Sequence, residues 1–300
     1  MCIRDRIDTD VALVGRLLAE QFPHWAGLPI APVASAGTDN ALYRLSDALA
    51  VRLPRIHWAV GQVDKERQWL PRLAPSLPLA VPRPLAVGVP GAGYPYPWAV
   101  YRWLDGGNAA HTPPADLSRA AVELAGFLLA LQAIDPTGGP RAAEHGLRGV
   151  PLAGRDAPTR QAIAELAGLI DGEAATAVWE DALRAADWPG PPVWFHGDLL
   201  PGNLLVAGGR LRAVIDWGGL GVGDPAPDLM IAWSLFSGDS RAAFRAALGV
   251  DDATWARGRG HALSQAAIFI PYYLTTNPEG VANAQRAIEQ VLADFRVEDK

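Results

Sequence analysis

The segment "LLVAGGRLRAVIDW", residues 204–217, restricts the folding of this chain more than any other stretch. Its two apolar segments are separated by Gly208-Gly209, which is typical of a β-hairpin with a two-residue turn. In an antiparallel hairpin the start of the first strand lies beside the end of the second. Asn203 opens the first strand and Asp216 closes the second, so we expect these two residues to meet at the open end of the hairpin.

A third polar residue, Asp198, lies five positions before Asn203 in "HGDLLPGN" and hangs in the loop beside the same end. The oxygen atoms of Asn203 and Asp216 are the hard ligands that Mg²⁺ prefers, and two protein ligands leave room for waters or substrate phosphates. Asp198 is a separate carboxylate, suited to accept a proton from a hydroxyl nucleophile. Each residue alone is also compatible with turn or capping chemistry, because Asp and Asn favour turns. The convergence of all three favours a functional site.

His196, in the same loop, allows two interpretations. It is a general base or a metal ligand, or it is a packed residue whose ring bonds the backbone. The residues alone favour the packed role.

Composition limits the classes of protein and partner. The chain has 300 residues and half of them are apolar, which suffices for a large core and favours two domains or lobes. A net charge of −6 argues against nucleic acid or an anionic membrane as the main partner. The single cysteine, Cys2, excludes an internal disulfide and favours a cytoplasmic location. No apolar run approaches the ~20 residues that span a bilayer. The oligomeric state is not readable from the sequence.

The pattern along the chain changes near Gly106-Gly107. Before this point we predict a helix over 8–22, a hairpin around Ser46-Asp47, a helix in "AVGQVDKERQWLPRLA" and a strand in "WAVYRWL". The Pro-rich segment between the last two reads as extended chain and turns. Beyond about residue 115 the pattern is mostly helical, except for the hairpin region. The sequence therefore predicts an α+β protein whose strand-containing first third precedes a helical remainder.

Glu66 is conspicuous on the second predicted helix. With Val63 and Leu70 it lies on the apolar face at i, i+3, i+7 spacing. A carboxylate on a buried face usually needs a cationic partner. The alternative is a side chain at the edge of that face that reaches solvent.

The motifs "HGDLLPGN", "VIDW" and "GVGDPAPDL" together resemble the aminoglycoside phosphotransferase-like family, whose members are relatives of the protein kinases. The resemblance extends over most of the chain, including "GTDNALYRL", "VRLPR" and "YPYPWAVYRWLDG". It implies a two-lobed protein-kinase-like fold, with a small β-sheet-plus-helix N-lobe over 1–104 that binds nucleotide. A mainly helical C-lobe over 105–300 would hold the catalytic loop, the metal and the acceptor.

The resemblance also implies a role for each candidate residue. Asp198 would be the catalytic base, and Asn203 and Asp216 would hold Mg²⁺ against the nucleotide phosphates. Arg52 would contact those phosphates, paired to Glu66. Arginine replaces the kinase lysine here and exchanges a point charge for a planar fork. The remaining residues implied in nucleotide binding are the loop residues Gly37, Thr38 and Asn40 and the hinge residues Arg102, Trp103 and Leu104. Asp228 would brace the catalytic loop, or cap the helix that follows it.

The implied activity is transfer of the γ-phosphoryl group of ATP or GTP to a hydroxyl of a small molecule, with an aminoglycoside or other antibiotic as the leading acceptor class. Such an activity would make the protein a determinant of antibiotic resistance. Two other functions stay open. One is a metal-dependent phosphate-ester hydrolase that uses His196, Asp198 and Asp216. The other is a non-catalytic, nucleotide-binding pseudokinase.

Overall fold

The protein divides into two units, Met1–Pro75 with Ala80–Asp105 and Ser76–Leu79 with Gly106–Lys300. The computed structural model describes residues 6–33, 39–145 and 148–298. The predicted loop residues Gly37 and Thr38 lie outside the described residues. None of the helices in the described ranges is both long and apolar enough to cross a membrane.

The first unit is built on a five-stranded antiparallel sheet of order β1-β2-β3-β5-β4. Its elements are α1 Val11–Gln21, β1 Ile30–Pro32, β2 Asn40–Leu45, β3 Leu49–Pro54, α2 Val60–Leu73, β4 Pro84–Gly88 and β5 Trp98–Arg102. The helices, the hairpin and the last strand confirm the sequence prediction. The prediction was incomplete in the Pro-rich segment, because β4 pairs there with β5 through an irregular register.

The two faces of this sheet bury different helices. Val51 and Leu53 of β3 and Val100 of β5 share a core with Leu17 and Leu18 of α1. On the opposite face, a smaller core unites Ala50, Ala99 and Tyr101 with Val63 of α2. Since side chains alternate along a strand, Arg52 emerges on the same face as Ala50, toward α2. The alternation in "AVRL" thus directs the one charged residue of that segment at α2.

The second unit is mostly helical, with two small antiparallel sheets. Its helices are α3 Leu117–Gln132, α4 Ala142–His145, α5 Asp156–Glu165, α6 Gly172–Arg184, α7 Ile231–Ser234, α8 Gly238–Leu248, α9 Asp252–Tyr273 and α10 Pro278–Glu298. Its strands are β6 Gly107–Asn108, β7 Val193–Phe195, β8 Leu204–Ala207, β9 Arg210–Val214 and β10 Gly221–Gly223. Helix α9 packs against α5, α6 and α10, and α3 packs against α8. Strand β6 pairs with β8, and β8 with β9.

Candidate functional site

The predicted hairpin is present and forms the base of the site. Strand β8 pairs with β9, from Leu204 opposite Val214 to Ala207 opposite Arg210. Gly208 and Gly209 both have positive φ, 58° and 74°, as a two-residue hairpin turn requires. At the open end the Ile215 N–H donates to the Asn203 carbonyl at 2.9 Å. The hairpin therefore places Asn203 beside Ile215, the residue that immediately precedes Asp216.

Asn203 also fixes the position of Asp198. Its side-chain Nδ2 donates to the Asp198 backbone carbonyl at 2.8 Å and to Asp198 Oδ2 at 3.3 Å. The Asp198 side chain remains 29% exposed, so its carboxylate is accessible to a ligand. The loop thus joins the candidate base directly to one of the two candidate metal ligands.

The donor set at Asn203 and Asp216 fits a magnesium ion. Because the Asn203 amide nitrogen faces Asp198, its Oδ1 lies on the opposite side of the amide, where it is able to bind a cation. Asp216 has φ 62° and ψ 70°, a left-handed conformation that is uncommon for residues other than glycine and is often found at functional sites. An amide oxygen and a carboxylate are hard ligands of the kind that Mg²⁺ takes.

His196 and Asp228 support the loop from beneath. Both are fully buried. The His196 ring contacts the Ile215 carbonyl through Nε2 at 3.0 Å, and its Nδ1 accepts the Asp198 N–H at 3.2 Å. Asp228 accepts the N–H groups of His196 at 2.8 Å and Gly197 at 2.7 Å. Both ring nitrogens of His196 therefore bond the backbone, which confirms the packed role predicted from the sequence.

The backbone of this loop also requires glycine at position 197. Gly197 has φ 81°, and a Cβ there would collide with the carbonyl oxygen of Gly219.

Burial raises the pKa of Asp228, an effect opposed by His196 and by the two backbone N–H donors. Asp228 therefore binds the turn that presents Asp198.

Replacing Asp228 by asparagine should destabilise the second unit. The amide keeps one acceptor oxygen but turns its NH₂ group toward a buried N–H donor. Leaving a buried donor unpaired costs about 1–3 kcal/mol, and we expect the free energy of unfolding in urea to fall by that amount. Asp239→Asn, at an exposed position on α8, is the matched control. An unfolding free energy unchanged by Asp228→Asn would contradict the bracing role.

In the first unit, Arg52 and Glu66 form the predicted ion pair. Arg52 Nη1 lies 2.6 Å from Glu66 Oε1, and Glu66 is fully buried. The Tyr101 hydroxyl donates to the other carboxylate oxygen at 2.6 Å, and Arg52 Nη2 donates to Gln62 Oε1 at 2.6 Å. Asn40 Nδ2 reaches the same Gln62 oxygen at 3.2 Å. Burial and the neighbouring Glu66 hold the pKa of Tyr101 well above its usual range.

The predicted hinge residues follow directly on this sheet. Arg102 is the last residue of β5. The Trp103 N–H donates to the Ala48 carbonyl at 2.8 Å, and the guanidinium of Arg44 stacks over its ring at 4.1 Å. This N–H is therefore engaged in the first unit and does not serve a purine. The backbone of Arg102 and Leu104 and the Trp103 carbonyl remain as candidates.

Four residues that contact Asp198, Arg148, Arg52 or Glu66 were not predicted from the sequence. Gln62 lies one helical turn before Glu66 on α2, and this spacing indicates that the two side chains share one face of the helix. Tyr101 lies on the same sheet face as Arg52, which the strand period could have indicated. Arg148 and Gln265 had no such signal. Arg148 Nη1 lies 2.7 Å from Asp198 Oδ1 and also donates to the Gly197 carbonyl, while its Nη2 donates to Gln265 Oε1 at 2.9 Å.

Comparisons with known proteins agree with this architecture. APH(2")-IIIa, solved as its GDP and kanamycin complex, is 19% identical with a TM-score of 0.74, over 94% of this chain and 98% of that chain. The macrolide 2'-phosphotransferase MphH from Brachybacterium faecium is 24% identical with a TM-score of 0.59, over 93% of this chain and 97% of that chain. The fold is therefore the α+β, protein-kinase-like fold of these enzymes.

A curated relative and a family model extend the comparison to sequence. The uncharacterized protein YcbJ of Bacillus subtilis (strain 168) is 29% identical over 168 residues, which are 53% of this chain and 50% of that protein. The chain thus spans about half the length of the curated relative it matches. The model of the phosphotransferase enzyme family, APH, matches residues 31–261. Since this match covers most of the chain, including Arg52, Glu66, Asp198, Asn203 and Asp216, the protein belongs to the phosphotransferase enzyme family.

Proposed function

We propose that this protein transfers the γ-phosphoryl group of ATP or GTP to a hydroxyl of a small molecule. The observation that carries the proposal is the arrangement of Asp198, Asn203 and Asp216 around one hairpin end. Phosphoryl transfer needs little beyond positioning and charge neutralisation, and these residues supply the groups for both.

Each residue has a defined part in the proposed reaction. The carboxylate of Asp198 accepts the proton of the acceptor hydroxyl as its oxygen forms a bond to the γ-phosphorus. The bond from that phosphorus to the bridging oxygen breaks, and the nucleoside diphosphate leaves. Asn203 and Asp216 would hold Mg²⁺, which when bound neutralises phosphate charge. Arg52, oriented by Glu66, is proposed to contact the phosphates.

The rest of the nucleotide site is assigned to the first unit, within residues 1–104. Gly37, Thr38 and Asn40 are proposed to approach the phosphates. The backbone of Arg102 and Leu104 and the carbonyl of Trp103 are proposed to approach the purine. Residues 105–300 are proposed to hold the base, the metal ligands and the acceptor. The complexes of similar fold include GDP with kanamycin, and the similar proteins include a macrolide phosphotransferase. A hydroxylated antibiotic is therefore the first acceptor class to test, and resistance the corresponding role.

The alternative of a metal-dependent phosphate-ester hydrolase relies on His196, and this side chain is not available. Both ring nitrogens of His196 are bonded to the backbone, so the residue is unavailable as a metal ligand. The pseudokinase alternative is weakened by the exposure of Asp198 and its contact with Asn203.

One assay tests the proposal against both alternatives. The protein is incubated with Mg²⁺, γ-labelled ATP or GTP, and a panel of aminoglycosides, macrolides, sugars and amino-alcohols. We expect the labelled phosphoryl group to be transferred to at least one of these acceptors. Hydrolysis of phosphate esters without nucleotide would favour the hydrolase, and nucleotide binding without transfer to any acceptor would favour the pseudokinase.

Replacing Asp216 by asparagine should change the magnesium requirement. The amide keeps the shape but supplies a weaker oxygen ligand without charge. We expect the Mg²⁺ concentration that gives half-maximal transfer to rise about tenfold or more, in the range seen when metal sites lose a supporting group. The measurement is a magnesium titration of transfer, with exposed Asp187→Asn as the matched control. Identical titrations for Asp216→Asn and the unmodified protein would exclude Asp216 as a ligand.

A further inference from the structure

A cationic side chain, Arg148, lies beside the candidate base, Asp198. Arg148, in the loop after α4, forms an ion pair with it at 2.7 Å. Gln265 of α9 and the Gly197 carbonyl hold the same guanidinium in place. The two side chains of the ion pair are 25% and 29% exposed, so a molecule that reaches the carboxylate also reaches the cation.

Arg148 has donor capacity left for a ligand. A guanidinium carries five N–H donors. Three of them point at Gly197, Asp198 and Gln265, and the others have no hydrogen-bond partner within the described ranges. The planar fork of arginine matches the geometry of carboxylates and phosphates, which it binds in a bidentate manner.

A second guanidinium lies nearby without an acidic partner. Arg155 Nε donates to the Ser264 hydroxyl at 2.9 Å, and no carboxylate among the described residues pairs with Arg155. Burial and, second, the charge of Arg148 lower the pKa of Arg155 to about 10, so it stays cationic at neutral pH. The cation beside Asp198, Arg148, thus has a second cation close enough to act on it electrostatically.

The other ionisable groups on this side of α9 are paired or neutral. Arg257, His261 and Gln265 follow each other at four-residue spacing and so share one helix face. Arg257 is balanced by Asp224 at 2.8 Å. His261 is buried, and neither ring nitrogen has a hydrogen-bond partner in the described part of the chain. Burial and the charges of Arg155, Arg148 and Arg257 hold the pKa of His261 well below its usual range, so the ring is neutral.

We infer that the acceptor carries a carboxylate or phosphate group close to its reacting hydroxyl, and that Arg148 binds this group. The inference rests on the proposed function, because it takes Asp198 as the base. Arg148 contacts the Asp198 carboxylate directly. A hydroxyl bound to Asp198 and an anionic group bound to Arg148 therefore lie close enough to belong to one small molecule.

Two panels of matched compounds test the inference. The first contains glucose, glucuronate, glucose 6-phosphate and glucosamine, and the second contains glycerol, glycerate and 2-amino-1,3-propanediol. Within each panel the hydroxyl framework is similar while the charge changes, and the first also separates carboxylate from phosphate. Each compound is measured in two ways, by label transfer and by equilibrium binding to the protein with a non-hydrolysable nucleotide.

The variants are Arg148→Gln, Arg148→Lys and, as matched control, Arg119→Gln, which removes the same charge from an exposed ion pair on α3. We expect an anionic member of at least one panel to exceed its neutral counterpart about tenfold or more in binding, and in kcat/KM where transfer occurs. Arg148→Gln should abolish this ratio. Arg148→Lys should restore part of it, and Arg119→Gln should leave it unchanged. Melting temperatures establish that each variant is folded.

The outcomes separate the inference from the proposed function. A preference for neutral or cationic compounds, no binding of any anionic compound at millimolar concentration, or a charge ratio that survives Arg148→Gln would overturn the inference. Absence of transfer to every compound of these panels and to every aminoglycoside and macrolide tested above, with nucleotide bound, would overturn the proposed function. The binding measurements would still decide the inference in that case.

Discussion

Asp198→Asn is expected to lower kcat for phosphoryl transfer by about 10²–10⁴-fold, the usual contribution of a general base. Asparagine has nearly the same shape, and its oxygen accepts the Arg148 donor that Asp198 Oδ1 accepts at 2.7 Å. The loop contact from Asn203 to the backbone carbonyl of residue 198 does not involve the altered group. The substitution therefore removes the proton acceptor and otherwise costs only the longer, 3.3 Å contact from Asn203 Nδ2 to Asp198 Oδ2.

The kinetic constants distinguish this role from a structural one. The KM for nucleotide should change little, because Asp198 is not assigned to nucleotide binding. The loss should appear in kcat with the best acceptor of the panel, measured beside Asp187→Asn as the control. A variant with normal kcat would remove Asp198 from the mechanism. A lowered melting temperature together with a raised nucleotide KM would indicate a folding defect instead.

Arg52→Met is expected to lower the free energy of unfolding by about 3–5 kcal/mol, because it leaves the fully buried Glu66 without its cation. Methionine retains an apolar chain of similar reach. The Tyr101 hydroxyl and its 2.6 Å hydrogen bond to Glu66 remain, but they do not neutralise the charge. Urea unfolding measures the loss.

The double variant Arg52→Met with Glu66→Gln separates stability from function. The glutamine side chain carries no charge and still accepts the Tyr101 hydroxyl, so most of the lost stability should return. Nucleotide affinity, measured by calorimetry, should stay low because the phosphate contact is absent. Stability that does not return in the double variant would contradict the buried-charge argument. Nucleotide affinity equal to that of the unmodified protein would contradict the phosphate contact.

The predictions from sequence succeeded where a local rule determines the geometry. Gly208-Gly209 defines the hairpin turn, and the pairing of β8 with β9 then carries Asn203 to Ile215. The two-residue period of β3 places Arg52 on the α2 face, and the helical period places Glu66 on the face of Val63. In each case the contact follows from chain geometry over a few residues and needs no knowledge of distant segments.

Prediction was weaker where a residue's environment depends on how elements pack. Trp217 follows the candidate metal ligand Asp216 in sequence, and that position does not reveal whether its side chain faces a ligand or the core. It is fully buried, donates to the Val214 carbonyl at 3.0 Å and packs edge-on against His196. Trp217 is thus a core residue. Strand β4 was missed because prolines flank it, and its pairing with β5 overrides the local preference.

The sequence by itself determined the family, the hairpin and the identity of the candidate base and metal ligands, since their spacing is short and their chemistry specific. Only the tertiary structure placed Arg148 against Asp198 and Gln265 against Arg148, across separations of 50 and 117 residues. No periodicity or turn signal links such distant positions, because their meeting depends on how α9 and the loop after α4 pack. The charge around Asp198, and with it the inferred class of acceptor, is for this reason a property of the folded chain.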